Sequence, residues 1–141
     1  MRILLGLVMS IALTACDQSM KASHGAGQTG LIAVSDQQSG PEILIEEAAL
    51  DYDGWIVVHA IRNGQPDYAS SIGHLYIPAG TSKELSVPLA QPANAGDEVI
   101  VMLHEDTGSA RVFEYASAQG SPEDGPVLVN GRHVQKRIVL N

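Results

Sequence analysis

The chain has 141 residues, with 16 carboxylates against 8 lysines and arginines and a formal charge of −8, so its surface repels phosphate backbones and argues against nucleic acid as a partner. Its length supports one domain with a core of its own, and with aromatics at only 4% that core must be aliphatic. One cysteine, Cys16, leaves no intrachain disulfide possible.

In chain order, Met1-Arg2 is a short positive start, and Ile3 to Leu13 is apolar. That is the pattern of a secretory signal, and the run is too short to span a bilayer as a helix. Leu13-Thr14-Ala15 then sets small residues before Cys16. "LTAC" resembles the lipobox of bacterial lipoproteins. The resemblance implies removal of residues 1–15 as a signal peptide and lipidation of Cys16, which anchors the protein to a membrane. Two or more acyl chains hold a protein stably where one does so only marginally. Asp17 is similar to the signal that retains enteric lipoproteins in the inner membrane. Residues 16–30 continue as a small, polar, glycine-rich tether, in which His24 is a solvated residue.

From residue 31 to 141 the pattern becomes short apolar runs between turn signals. "LIAVS" reads as a first strand. "EILIEEAAL" reads as a second, although its Glu-Glu-Ala-Ala stretch also suits a helix. "GWIVVHAI" and "EVIVML" are apolar on both faces, as central strands are. "RNGQPD" is a break, "IGHLYI" a strand, and "KELSVPL" alternates with a proline, which predicts an edge strand. "RVFEY" reads as a strand after a short turn. "PVLV-NG-RHVQ" carries Asn130-Gly131 between two strands, a strong hairpin signal that predicts Val129 opposite Arg132. Turns every 8–12 residues or so without a long helix predict an all-β domain over 31–141, an immunoglobulin-like antiparallel β-sandwich of about 7–9 short strands.

Three stretches together carry a resemblance: "GWIVVHA" (54–60), "IGHLYIPAGTSKELSVPL" (72–89) and "VMLHEDTG" (101–108), with "FE" (113–114) and "DGPV" (124–127) downstream. They resemble an uncharacterised domain family of secreted and surface proteins in bacteria and haloarchaea. This chain departs from it in the loop 116–123 and at Ser109-Ala110-Arg111. The resemblance implies a surface β-sandwich and no particular chemistry.

Two constellations invite a chemical reading. "EDTGSA" (105–110) resembles the catalytic loop of aspartic proteases, where two such aspartates share a proton. "VLVNGR" (127–132) faintly resembles the apolar-Gly-Arg segment of the retroviral type. One copy per chain would need a homodimer, and His104-Glu105 stand where that family has apolar residues. The competing expectation is a turn shaped by Asp106 and Gly108, with Asp106 accepting backbone N–H bonds two residues on. His59, His104 and Met102 suit copper or zinc, since imidazole and thioether are ligands for such ions. Yet both histidines fall near the C-terminal ends of strands. If those strands are antiparallel neighbours the two lie at opposite ends, which argues against a joint site. His74 and His133 lie on other strands. Trp55 is expected in the core.

The sequence therefore predicts a non-catalytic envelope module, anchored in a membrane through Cys16, without a cofactor, and binding or assembling with an envelope protein. The alternatives are a copper- or zinc-binding envelope protein and an aspartic-protease-like enzyme.

Overall fold

The computed structural model of the chain describes residues 29–115 and 123–141. The signal peptide over 1–15, the lipidated Cys16, nearly all of the tether and most of the loop 116–123 lie outside the described residues. Those described form an all-β fold. In chain order its strands are β1 (Gly30–Ala33), β2 (Glu42–Leu50), β3 (Gly54–Arg62), β4 (Gln65–Pro66), β5 (Gly73–Ile77), β6 (Gly80–Pro88), β7 (Glu98–Glu105), β8 (Leu128–Val129), β9 (Arg132–His133) and β10 (Gln135–Val139). The strand pairings between them are all antiparallel.

Two sheets make the body of the domain. One has the order β1-β2-β6; the other runs β10-β7-β3-β4, with β5 also on β3. Between them lies an aliphatic core. Ile43, Ile45, Ala48, Leu50 and Val87 come from the first sheet, and Ile56, Val58, Val99, Val101, Leu103 and Ile138 from the second. Burying a side chain of this kind contributes about 1.5–3 kcal/mol. β6, with Pro88 as its last residue, is indeed an edge of its sheet.

The "EILIEEAAL" segment is strand throughout, and its helical look has a structural cause. Inward positions are Ile43 and Ile45 first, then Ala48 and Leu50, so the alternation changes phase midway. Across the ladder, Ile45 pairs Leu85 and Glu47 pairs Lys83, while Glu46 and Glu84 are left out of the pairing and Glu84 sits at φ 52°. Both strands switch phase together, so the register survives.

Two Asn-Gly turns close hairpins. Asn130 and Gly131 have φ 51° and 74°, as a type I′ turn requires, with Val129 opposite Arg132. Asn63 and Gly64, at φ 53° and 78°, make the same turn between β3 and β4, where the sequence predicts only a break.

One expected strand is absent. Residues 112–115 of "RVFEY" pair with no neighbouring strand. Their backbone is held instead by side-chain carboxylates. Asp106 accepts the Arg111 N–H (2.9 Å to Oδ2), and Asp124 Oδ2 accepts the Glu114 N–H (2.6 Å). The segment lies as a strap that lays Phe113 and Tyr115 over the outer face of β3 and β7.

Candidate functional site

β3 and β7 are buried on both faces. Ile56, Val58, Val101 and Leu103 face the core between the sheets. Their alternating neighbours Trp55, Val57 and His59 on β3, with Ile100, Met102 and His104 on β7, face outward and are buried too. A second layer covers them, and it is aromatic. The chain has one Trp, one Phe and four Tyr. Trp55 touches His74, Tyr76 and Phe113 edge-on or tilted, at centroid distances of 5.3–5.6 Å. His74 stacks on Phe113 at 4.3 Å. Tyr115 stands edge-on to His104 at 4.6 Å, and Tyr68 edge-on to His59 at 5.5 Å. Trp55 is thus buried, but in this outer layer rather than between the sheets.

The two histidines expected at opposite ends meet. The register is antiparallel as anticipated, with Trp55 opposite His104 and His59 opposite Ile100. Ile100 and His104 are four positions apart on β7, roughly 13 Å along the strand. Nevertheless both rings lean inward along the face and their Nε2 atoms lie 3.5 Å apart, with neither residue exposed (0% each). Val57 and Met102, paired with each other, stand between them on the ladder.

Each ring is aimed by a backbone carbonyl. His59 Nδ1 lies 2.8 Å from the Ser70 oxygen, and His104 Nδ1 lies 2.7 Å from the Asp124 oxygen. A carbonyl can only accept, so each Nδ1 carries the proton and donates. In a neutral imidazole the other nitrogen then presents a lone pair. Burial pushes both histidines below the ordinary imidazole range, His104 to about 4, against the opposing pull of the carbonyls. The neutral form therefore dominates near pH 7, with two lone pairs facing each other.

Asp124 is the residue that sequence reasoning missed. It is fully buried at φ 51°. Its Oδ1 accepts the Thr107 N–H at 2.8 Å, its own N–H donates to the Thr107 hydroxyl at 2.8 Å, and its carbonyl aims His104. Burial raises its carboxyl pKa against the lowering effect of the Glu114 and Thr107 amides. A sequence signal existed: "EDG" before an apolar pair is a turn signature, and an aspartate tolerates positive φ.

The Asp-Thr-Gly segment is part of this strap. Asp106 reaches five residues on, to the Arg111 N–H, rather than two. Gly108 turns at φ 91°, where a Cβ would stand 2.5 Å from Glu114 Oε2. Asp124 and Glu114, two other carboxylates of this region, are tied to the Thr107, Glu114 and Ser109 amides. His133 lies exposed at the rim, 6.4 Å from the Tyr68 ring. Among the described residues no group of three His, Cys, Asp or Glu side chains could hold a metal ion.

Fold and site define a class: an antiparallel all-β module whose larger sheet carries a buried histidine and aromatic layer on its outer side. Residues 30–140 match a domain of unknown function, DUF7282, and the chain belongs to that family. Its relatives include cell surface glycoprotein 2 of Haloarcula hispanica, 29% identical over 107 residues, and cell surface glycoprotein 1 of the same organism, 27% identical over 107. Those matches cover 75% of this chain and 11% of each relative, so the chain spans about a ninth of their length. No solved structure matches the chain.

Proposed function

We propose that this chain is a non-catalytic module of the cell envelope, displayed on a membrane by lipid on Cys16 and engaging an envelope protein there. One observation carries the reading: the domain recurs within much larger proteins named as cell surface glycoproteins, of which it makes up a small part. A module of this kind serves by its surfaces and its placement. The "LTAC" start supports that placement, since Cys16 carries the one thiol in the chain and a thioether to diacylglycerol needs a sulfur nucleophile. The remaining chain, without Arg2, carries a formal charge of −9, which keeps the domain off anionic lipid and leaves attachment to the anchor.

The test is fractionation of the cells that make the protein, followed by intact mass. The wild type is expected in the membrane fraction, beginning at Cys16 with acyl chains, while Cys16→Ala is expected soluble or unprocessed. A wild type that is soluble, or that keeps an unmodified Cys16, refutes the anchor. Turnover of a peptide substrate at acid pH that vanishes in Asp106→Asn refutes the non-catalytic assignment.

A further inference from the structure

We propose that His59 and His104 form a buried site for a single copper(I) ion, held between their Nε2 atoms with Met102 as the third ligand. The site is independent of the envelope role above.

Geometry carries the inference. Backbone carbonyls lock both rings in the Nδ1–H tautomer, so two Nε2 lone pairs are left 3.5 Å apart in a place closed to solvent. Two facing lone pairs repel unless a positive species sits between them. An ion about 2.0–2.1 Å from each nitrogen, the usual metal–imidazole length, would see them at an angle of about 113–122°. That is the angle of a trigonal site. Each ring also has the supporting contact that metal-bound histidines nearly always show, a backbone oxygen on the nitrogen that does not ligate.

The surroundings choose the ion. Calcium and magnesium need oxygen ligands, which this pair does not offer. A structural zinc site wants four ligands. A dication held by two neutral imidazoles and a thioether would also bring two charges into a buried space with no carboxylate among its ligands. Copper(I) brings one charge and prefers soft donors. Met102 is buried, on the same face as His104 and two residues before it, and its register position falls between the histidines. Its thioether is the donor that copper(I) favours. The aromatic cover of Tyr68, Tyr115 and Phe113 excludes water.

The experiment titrates copper(I), without oxygen, into the full chain in detergent against a chromophoric copper(I) chelator. Wild type, His104→Gln and Met102→Leu are compared. Wild type is expected to take one equivalent. His104→Gln should bind about 100-fold more weakly or worse, since losing even a supporting partner costs about 10–100-fold. Met102→Leu, which keeps the volume, should lose about 10-fold on the same scale. Because His104→Gln could fail to fold, 15N NMR of the wild type gives a second reading. Copper(I) is diamagnetic and should shift the Nε2 resonances of His59 and His104 while leaving His74 and His133 in place. Equal affinity in all three proteins, or unmoved Nε2 resonances, would overturn the site. So would imidazolium-like Nε2 signals at neutral pH that ignore copper, since a shared proton would then fill the gap. Tighter binding of zinc than of copper(I) would overturn the choice of ion.

Discussion

Replacing Asp124 with asparagine isolates what holds the strap over β3 and β7. Asparagine matches the shape and tolerates the φ of 51°, so the backbone adds no strain. It offers one acceptor oxygen where aspartate offers two. In the wild type, Oδ1 takes the Thr107 N–H at 2.8 Å and Oδ2 the Glu114 N–H at 2.6 Å. The amide NH2 must now face one of those donors. One bond survives as a neutral pair, and the other is lost with a part-buried N–H left unsatisfied, at a cost of about 1–3 kcal/mol. Converting the survivor from charged to neutral costs about 1 kcal/mol more. Relief of the carboxylate's own burial, which raises its pKa, offsets part of the sum. A net loss of about 2 kcal/mol is expected, which in a domain of this size lowers Tm by about 9 °C. Thermal unfolding followed by circular dichroism measures it. Trp55 offers a second readout, because it lies under Phe113 on the strap, 5.3 Å away between centroids. Its emission should shift to the red and its quenching by acrylamide should rise. A Tm within 2 °C of wild type, with unchanged tryptophan emission, would show that the carboxylate does not hold the strap.

Other substitutions test other parts of the reasoning. Gly54→Ala puts a Cβ 2.4 Å from the His104 carbonyl oxygen and 2.5 Å from Leu50 Cδ1, and should destabilise by about 1–3 kcal/mol or more in a denaturant titration; a neutral result would mean the β3–β7 ladder yields easily. Gly131→Val requires a β-branched residue at φ 74°, so it should destabilise by about 1–3 kcal/mol in the same assay, whereas Asn130→Gly should be nearly silent. Asp53 titrates below the usual carboxylate range because the Tyr76 hydroxyl and then the Ala79 amide donate to it. A depressed folded pKa stabilises above the unfolded value and is lost as pH falls through the folded one, so the stability gap between wild type and Tyr76→Phe should be present at neutral pH and close in acid. NMR should show the Asp53 carboxyl titrating higher in Tyr76→Phe, and an unmoved carboxyl would refute the link.

Much of the fold was legible. Unbroken apolar runs marked β3 and β7 as central, Pro88 marked an edge, and Asn130-Gly131 marked a hairpin. Asn63-Gly64 carries the same signal, but the strand after it, Gln65–Pro66, is only two residues long and ends in proline. The strap was not legible, since "RVFEY" has the composition of a strand while the carboxylates of Asp106 and Asp124 take its backbone amides. The histidine pair was hidden by a true premise. Antiparallel strands do place the two residues at opposite ends, but side chains lean along a face, and the carbonyls of Ser70 and Asp124 that tilt these two come from remote segments. Periodicity gives a residue's face and register and is silent on its tilt. The same limit hid Asp124, whose role exists only once its loop has folded over β7.

Antiparallel strands usually leave one face to solvent, and a sequence can drift freely along that face. β3 and β7 have no such face. Substitution there must satisfy an aliphatic layer on one side and an aromatic one on the other, so tolerance to change is pushed onto the remaining sheet. Its outward positions Glu42, Leu44 and Glu46 are exposed. When this domain diversifies to meet different neighbours, β1, β2 and β6 are where it has room to do so. A library randomised across the domain and sorted for folding should return variety on that sheet and little on β3 and β7.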